Sequence, residues 1–118
     1  MTRPADTRNH QRLSPEESAA LSAMIRKARK AKGWSRERLS VEAENELRKR
    51  AADFRSPIFA TTERRQLWRT VEVTALSIYR LETAPVLPLG RADRRARLLG
   101  VCLALEIDRA LINEICGV

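Results

Sequence analysis

Aromatic side chains are scarce: two Trp, one Tyr and two Phe make up 4% of the 118 residues. Sheets draw on aromatic and β-branched residues, so this core has to be built from Leu, Ile, Val and Ala. That composition suits helix packed on helix. Histidine is nearly absent. The single His10 lies in a polar N-terminal stretch, apart from any candidate partner. There is no Cys-x-x-Cys pair, no glycine-rich phosphate loop and no Gly-x-Ser-x-Gly turn. No catalytic constellation remains, so the chain reads as a non-enzyme without metal or cofactor. The two cysteines, Cys102 and Cys116, lie on apolar helical stretches and read as buried thiols. With so few, a reducing cytoplasm is the default location. No apolar run approaches the roughly 20 residues of a membrane span. Met1 to Asp6 lacks the apolar stretch of a secretory signal. Internal repeats and low-complexity tracts are also missing.

Positive charge is abundant. Twenty-three Lys and Arg stand against fifteen Asp and Glu, a formal net charge of +8. A polyanionic partner follows, with nucleic acid the commonest of that kind. Residues 1–13 carry Arg3, Arg8 and Arg12 but no periodic apolar face. They read as a flexible arm, followed by one domain over 14–118. Ser14-Pro15-Glu16-Glu17 combines a cap, a first-turn proline and a capping-box glutamate. It opens a helix predicted to run to about Lys32, with Leu21, Met24, Ile25 and Ala28 on its inner face. Gly33 ends it. Ser35 starts a second helix, with Leu39 and Ala43 inward and no breaker before about Asp53. Ser56-Pro57 marks a loop.

Thr61-Thr62-Glu63 opens another helix through Leu67 and Trp68, and the chain turns around Val71 to Thr74. A further helix covers Ala75 to Thr83, with Leu76 or Ile78 and Leu81 inward. After Pro85 and Pro88, helices are expected over about 91–105 and 108–116. The fold class is therefore all-α, a compact bundle of five to six helices.

Two separated stretches resemble the Cro and phage-repressor (lambda-repressor-like, XRE-type) helix-turn-helix family. Ile25-Arg26-Lys27-Ala28-Arg29-Lys30-Ala31-Lys32-Gly33-Trp34-Ser35-Arg36-Glu37-Arg38-Leu39 is similar to that family's first helix, glycine turn and second-helix start. Val73-Thr74-Ala75-Leu76-Ser77-Ile78-Tyr79-Arg80-Leu81-Glu82 is similar to its recognition helix, with a hydrophobic-x-x-hydrophobic-Glu ending. Leu103 to Asp108, followed by Leu111-Ile112, resembles its closing helices. Together these pieces make up 33 of the 118 residues. The resemblance implies a bacterial or phage transcription regulator that binds double-stranded DNA.

The resemblance also implies roles for residues. Thr74, Ala75, Leu76 and Arg80 would face bases, and Arg80 alone can read guanine bidentately. Ser35, Arg36, Arg38, Ser77 and Tyr79 would meet phosphates, with Lys32 and the Arg91, Arg94, Arg95, Arg97 cluster as further candidates. Arg29, four residues before the turn glycine, would pair with Glu82 and lock the first helix to the recognition helix.

One departure is large. About thirty residues, 44–72, lie where the family has a tight turn, far more than helix connections usually need. This insertion is expected to be helical. Its Pro57, Ile58, Phe59, Leu67 and Trp68 need burial, either against the domain or in an interface, and Ile58, Phe59, Leu67 and Trp68 are the interface candidates. A homodimer would suit operators with two half-sites. The rival reading is a protein-interaction module on the same scaffold that contacts RNA polymerase or another regulator.

Overall fold

The computed structural model describes residues 14–52, 62–84 and 91–107. Among them the chain is all-helical, with five helices and no strand. Helix α1 (Pro15–Ala31) begins as its sequence dictates. The Ser14 hydroxyl accepts the Glu17 amide at 3.1 Å, and the Glu17 carboxylate accepts the Ser14 amide at 2.9 Å. Two of the helix's orphan donors are thereby satisfied. The buried face of α1 is Ser18, Leu21, Ser22, Ile25 and Arg29.

The expected inner face is corrected at one position: Met24 is exposed. The stripe is rotated toward Ser18 and Ser22. These small side chains admit close neighbours, and the Ser22 hydroxyl donates to the Leu81 carbonyl at 2.6 Å.

Gly33 ends α1 at a φ of 71°, a left-handed conformation that glycine adopts without penalty. The Gly33 amide donates to the Lys30 carbonyl at 3.0 Å and the Trp34 amide to the Arg29 carbonyl at 3.2 Å. This is the paired bonding of a Schellman end. Two residues later the Ser35 hydroxyl accepts the Arg38 amide and starts α2 (Arg36–Ala52). The inner stripe of α2 is Leu39, Ala43, Leu47 and Ala51, every fourth residue.

Helix α5 (Ala92–Ala104) lies against α2 and has the most buried surface: Ala96, then Leu98 to Cys102, then Ala104. The crossing is close at Gly100. A Cβ there would lie 2.9 Å from the Ala43 carbonyl oxygen and 2.9 Å from the Leu47 side chain. The end of α5 repeats the bonding that ends α1. The Ile107 amide donates to the Cys102 carbonyl and the Glu106 amide to the Leu103 carbonyl. Here the left-handed residue is Glu106, at a φ of 59°.

Of the stretch 44–72, the described residues contribute to the core. The second half of the stretch forms α3 (Thr62–Thr70), packed against α2 with lesser contact to α5. Leu47, Ala51, Trp68 and Val71 are all buried in one cluster with the residues of α5. Trp68 is only 3% exposed, and Leu67 is half-buried against the same core. Of the two fates open to Trp68, the structure shows packing against the domain and not an interface anchor: its ring is already covered, with the Arg50 guanidinium 5.5 Å from its centroid. Ile58 and Phe59 lie outside the described residues, as do the N-terminal arm and the helix expected over 108–116.

Helix α4 (Ala75–Thr83) follows the extended segment Val71 to Thr74 and packs on α1 and α2. Ile78 and Glu82 are its buried residues. Of the two inward candidates, Ile78 is fully covered and Leu76 is 55% exposed. No helix among the described residues is long and apolar enough to cross a membrane.

Candidate nucleic-acid interface

The position of α4 is set first by a buried carboxylate. The Glu82 side chain is fully buried at the end of α4, and two arginines converge on it. Arg29, from α1, donates through Nε to Oε2 at 2.7 Å and through Nη2 to Oε1 at 3.2 Å. Its Nη1 donates to the Trp34 carbonyl at 2.9 Å, so the same guanidinium also braces the turn between α1 and α2. Arg36, from α2, reaches Oε1 through Nε and Nη2, each at 3.1 Å. Two-pronged guanidinium contacts are the strong, oriented kind. Burial pushes the Glu82 carboxyl upward. Hydrogen bonds and charge from Arg29 and then Arg36 outweigh it, and the pKa is held below the ordinary value of 4.5.

The start of α4 is held by a second device. The Arg48 guanidinium donates to the Trp68 carbonyl at 2.7 Å and to the Val71 carbonyl at 2.8 Å. The Glu44 carboxylate accepts the Val73 amide at 2.8 Å. Arg97 Nε donates to the Glu72 carbonyl at 2.8 Å. Val71 and Val73 alternate inward from this segment into the core. Extended backbone without a neighbouring strand must find partners elsewhere, and here side chains of α2 and α5 provide them. Sequence reasoning missed these residues. Glu44 and Arg48 stand at i,i+4, a spacing that reads as an ordinary helix-surface pair.

With both ends held, α4 presents an outward face. Thr74 is exposed, and its hydroxyl caps the helix by accepting the Ser77 amide at 3.0 Å. The same oxygen lies 2.9 Å from the Ser77 hydroxyl, so the two hydroxyls engage each other. Ala75 is half-buried, Leu76 and Tyr79 are exposed, and Arg80 is exposed without an ion pair among the described residues. The Arg36 guanidinium lies 5.1 Å from the Tyr79 ring centroid, inside cation–π range. Arg36 therefore sits at the edge of this face while tied to Glu82.

Beside it, the turn between α1 and α2 carries Trp34 with two cations over its ring, Lys32 at 5.0 Å and Arg38 at 5.2 Å. Lys32 also pairs with Glu106 at 2.9 Å and Arg38 with Glu42 at 2.9 Å. Ser35 is exposed at the cap.

The 91–97 cluster is divided. Arg91 and Arg97 both bond Asp93, at 3.2 and 3.3 Å. Burial raises the Asp93 carboxyl. Arg91, Arg97 and a backbone bond from Arg94 more than offset it, leaving the pKa below its ordinary value. Arg97 serves as a strut for Glu72, and Arg94 is exposed.

These features define an all-helical bundle in which α4 is fixed at both ends and presents an exposed face with Arg36 at its edge. Comparison of the chain with protein-family models, with curated proteins and with solved structures finds no match.

Proposed function

We propose that this protein binds double-stranded DNA as a transcription regulator of the helix-turn-helix kind, laying α4 in the major groove, and is not an enzyme. The observation that carries the reading is the outward face of α4 with a cation at its edge: Leu76, Tyr79 and Arg80 on the helix, Arg80 without an ion pair among the described residues, and Arg36 over the Tyr79 ring. The net charge of +8 favours a polyanion. The buried Arg29–Glu82 pair favours a helix held rigidly for recognition, because ordering costs are then met before binding. In this reading Arg80 contacts a base edge, and Ser35, Arg36, Arg38 and Tyr79 contact phosphates. Ser77 is left out of this contact set, since its amide and its hydroxyl are both bonded to the Thr74 hydroxyl. A homodimer on paired half-sites fits the modest number of base contacts one copy can make.

Binding of a random-sequence duplex library, followed by selection, tests the proposal. Arg80→Ala should lower affinity for the selected site by about 1–3 kcal/mol and relax preference at one base pair. Arg38→Ala should weaken all duplexes alike and reduce the salt slope by about one unit. A wild-type protein that retains no duplex at low salt would remove the DNA reading.

One observation favours a second reading, a docking module for RNA polymerase or another regulator. The exposed face of α4 carries the apolar Leu76 and Tyr79 ring, and the hydroxyls of Thr74 and Ser77 are engaged with each other. A Leu76→Ala change that abolishes capture of a protein partner, in a chain that ignores DNA, would favour it.

A further inference from the structure

We infer that Leu76 is a reader of pyrimidine C5-methyl groups. The protein's sites should then pair such a methyl with a guanine at a neighbouring base pair. This rests on the DNA reading and names what the same face selects.

The inference follows from which groups of α4 are free to recognise a base. Thr74 and Ser77, the hydroxyls nearest the helix start, are occupied with each other and with the Ser77 amide. The Thr83 hydroxyl donates back to the Tyr79 carbonyl at 2.8 Å. The Tyr79 ring lies beneath the Arg36 guanidinium. Leu76 and Arg80 are the outward side chains with no hydrogen bond, ion pair or ring contact among the described residues. Leu76 is 55% exposed, although Ile78 and Leu81 provide the core contacts of the helix. Arg80 is exposed as well.

A leucine can offer a base edge only apolar contact. In the major groove the apolar feature of a base edge is the C5-methyl, present on thymine and on 5-methylcytosine. Arg80 follows Leu76 by four residues, on the same face of the helix and about 6 Å further along the axis. A recognition helix lies along the groove, where residues three to four apart can meet successive bases, so Leu76 and Arg80 fall on neighbouring base pairs. The flanking cation Arg36 and the net charge make a duplex, rather than an apolar partner, the occupant that fits this face.

The test uses the full chain and duplexes recovered by selection from a random library. Each thymine in the selected site is replaced in turn by deoxyuridine, which deletes only the methyl. In parallel, each cytosine is replaced by 5-methylcytosine. Wild type should lose affinity about fourfold at one thymine, or gain about as much at one 5-methylcytosine, the value of burying one methyl group. A loss confined to deoxyuridine identifies thymine as the source, and a gain confined to 5-methylcytosine identifies the modified base. Leu76→Ala, an exposed change whose thermal melt should match wild type, should erase that response while Arg80→Ala retains it. Selected duplexes that bind tightly yet respond to neither replacement would overturn the inference and leave the DNA reading standing. If the library yields no bound duplex, both fall.

Discussion

Among the described residues, Glu82 is the one buried carboxylate. Its carboxylate holds α4 to α1 through Arg29 and to α2 through Arg36. Glu82→Ala should destabilise the fold by about 3–5 kcal/mol, because Arg29 would remain as a buried charge without its partner. Glu82→Gln should cost less, since an amide oxygen still accepts from Arg29. The pH response follows from the lowered pKa. A carboxylate with a depressed folded pKa contributes stability at pH values above its unfolded value. That contribution is lost as pH falls from about the ordinary 4.5 through the folded value. Urea melts between pH 7 and pH 3 should show wild type weakening through this acid range. Glu82→Gln should give a flatter profile, and equal slopes for the two proteins would count against the role assigned to the ion pair.

At the scale of elements, the helix ends offer a matched pair of experiments. Gly33 and Glu106 occupy the same position in the same type of helix end, at φ values of 71° and 59°. No atom lies within 4 Å of a Cβ placed on Gly33, so Gly33→Ala tests backbone conformation alone. It should lower stability by about 1 kcal/mol, the left-handed penalty of a non-glycine residue. Glu106→Gly should act in the opposite direction by a smaller margin, because it also removes an exposed ion pair to Lys32. Thermal denaturation of both variants would check the signs.

Much of this scale was legible beforehand. The capping box, the turn glycine and the periodic stripes mark α1, α2, α4 and α5 to within about two residues. The orientation of α1 was less legible. Apolarity favours Met24 inward, yet the small Ser22 faces α4 because its hydroxyl reaches a carbonyl there. The segment Val71 to Thr74 reads as a turn, and its anchoring by Glu44, Arg48 and Arg97 has no local signal. Those contacts join residues 25 to 29 positions apart at Glu72 and Val73. The Arg29–Glu82 contact spans 53 positions. It was foreseen only through resemblance, since neither residue's neighbours in sequence announce it.

Across the whole molecule, the α2–α5 crossing concentrates the packing. Gly100→Ala should destabilise by about 1–3 kcal/mol, because the new methyl meets a backbone carbonyl on α2 that cannot rotate away. Chemical denaturation would show a lower midpoint with an unchanged slope. An unaltered midpoint would mean that the two helices separate more easily than their contacts suggest.

The placement of Leu47, Ala51, Trp68 and Val71 has an architectural consequence for engineering. Against a minimal repressor-like chain, residues 44–72 look like an addition that a designer could trim. Trimming them would strip one wall from α5 and cut away Glu44 and Arg48, the clasps at the entrance to α4. The stretch is a keystone rather than an ornament, and a shortened chain should lose the whole domain before it loses any single contact on its outer face.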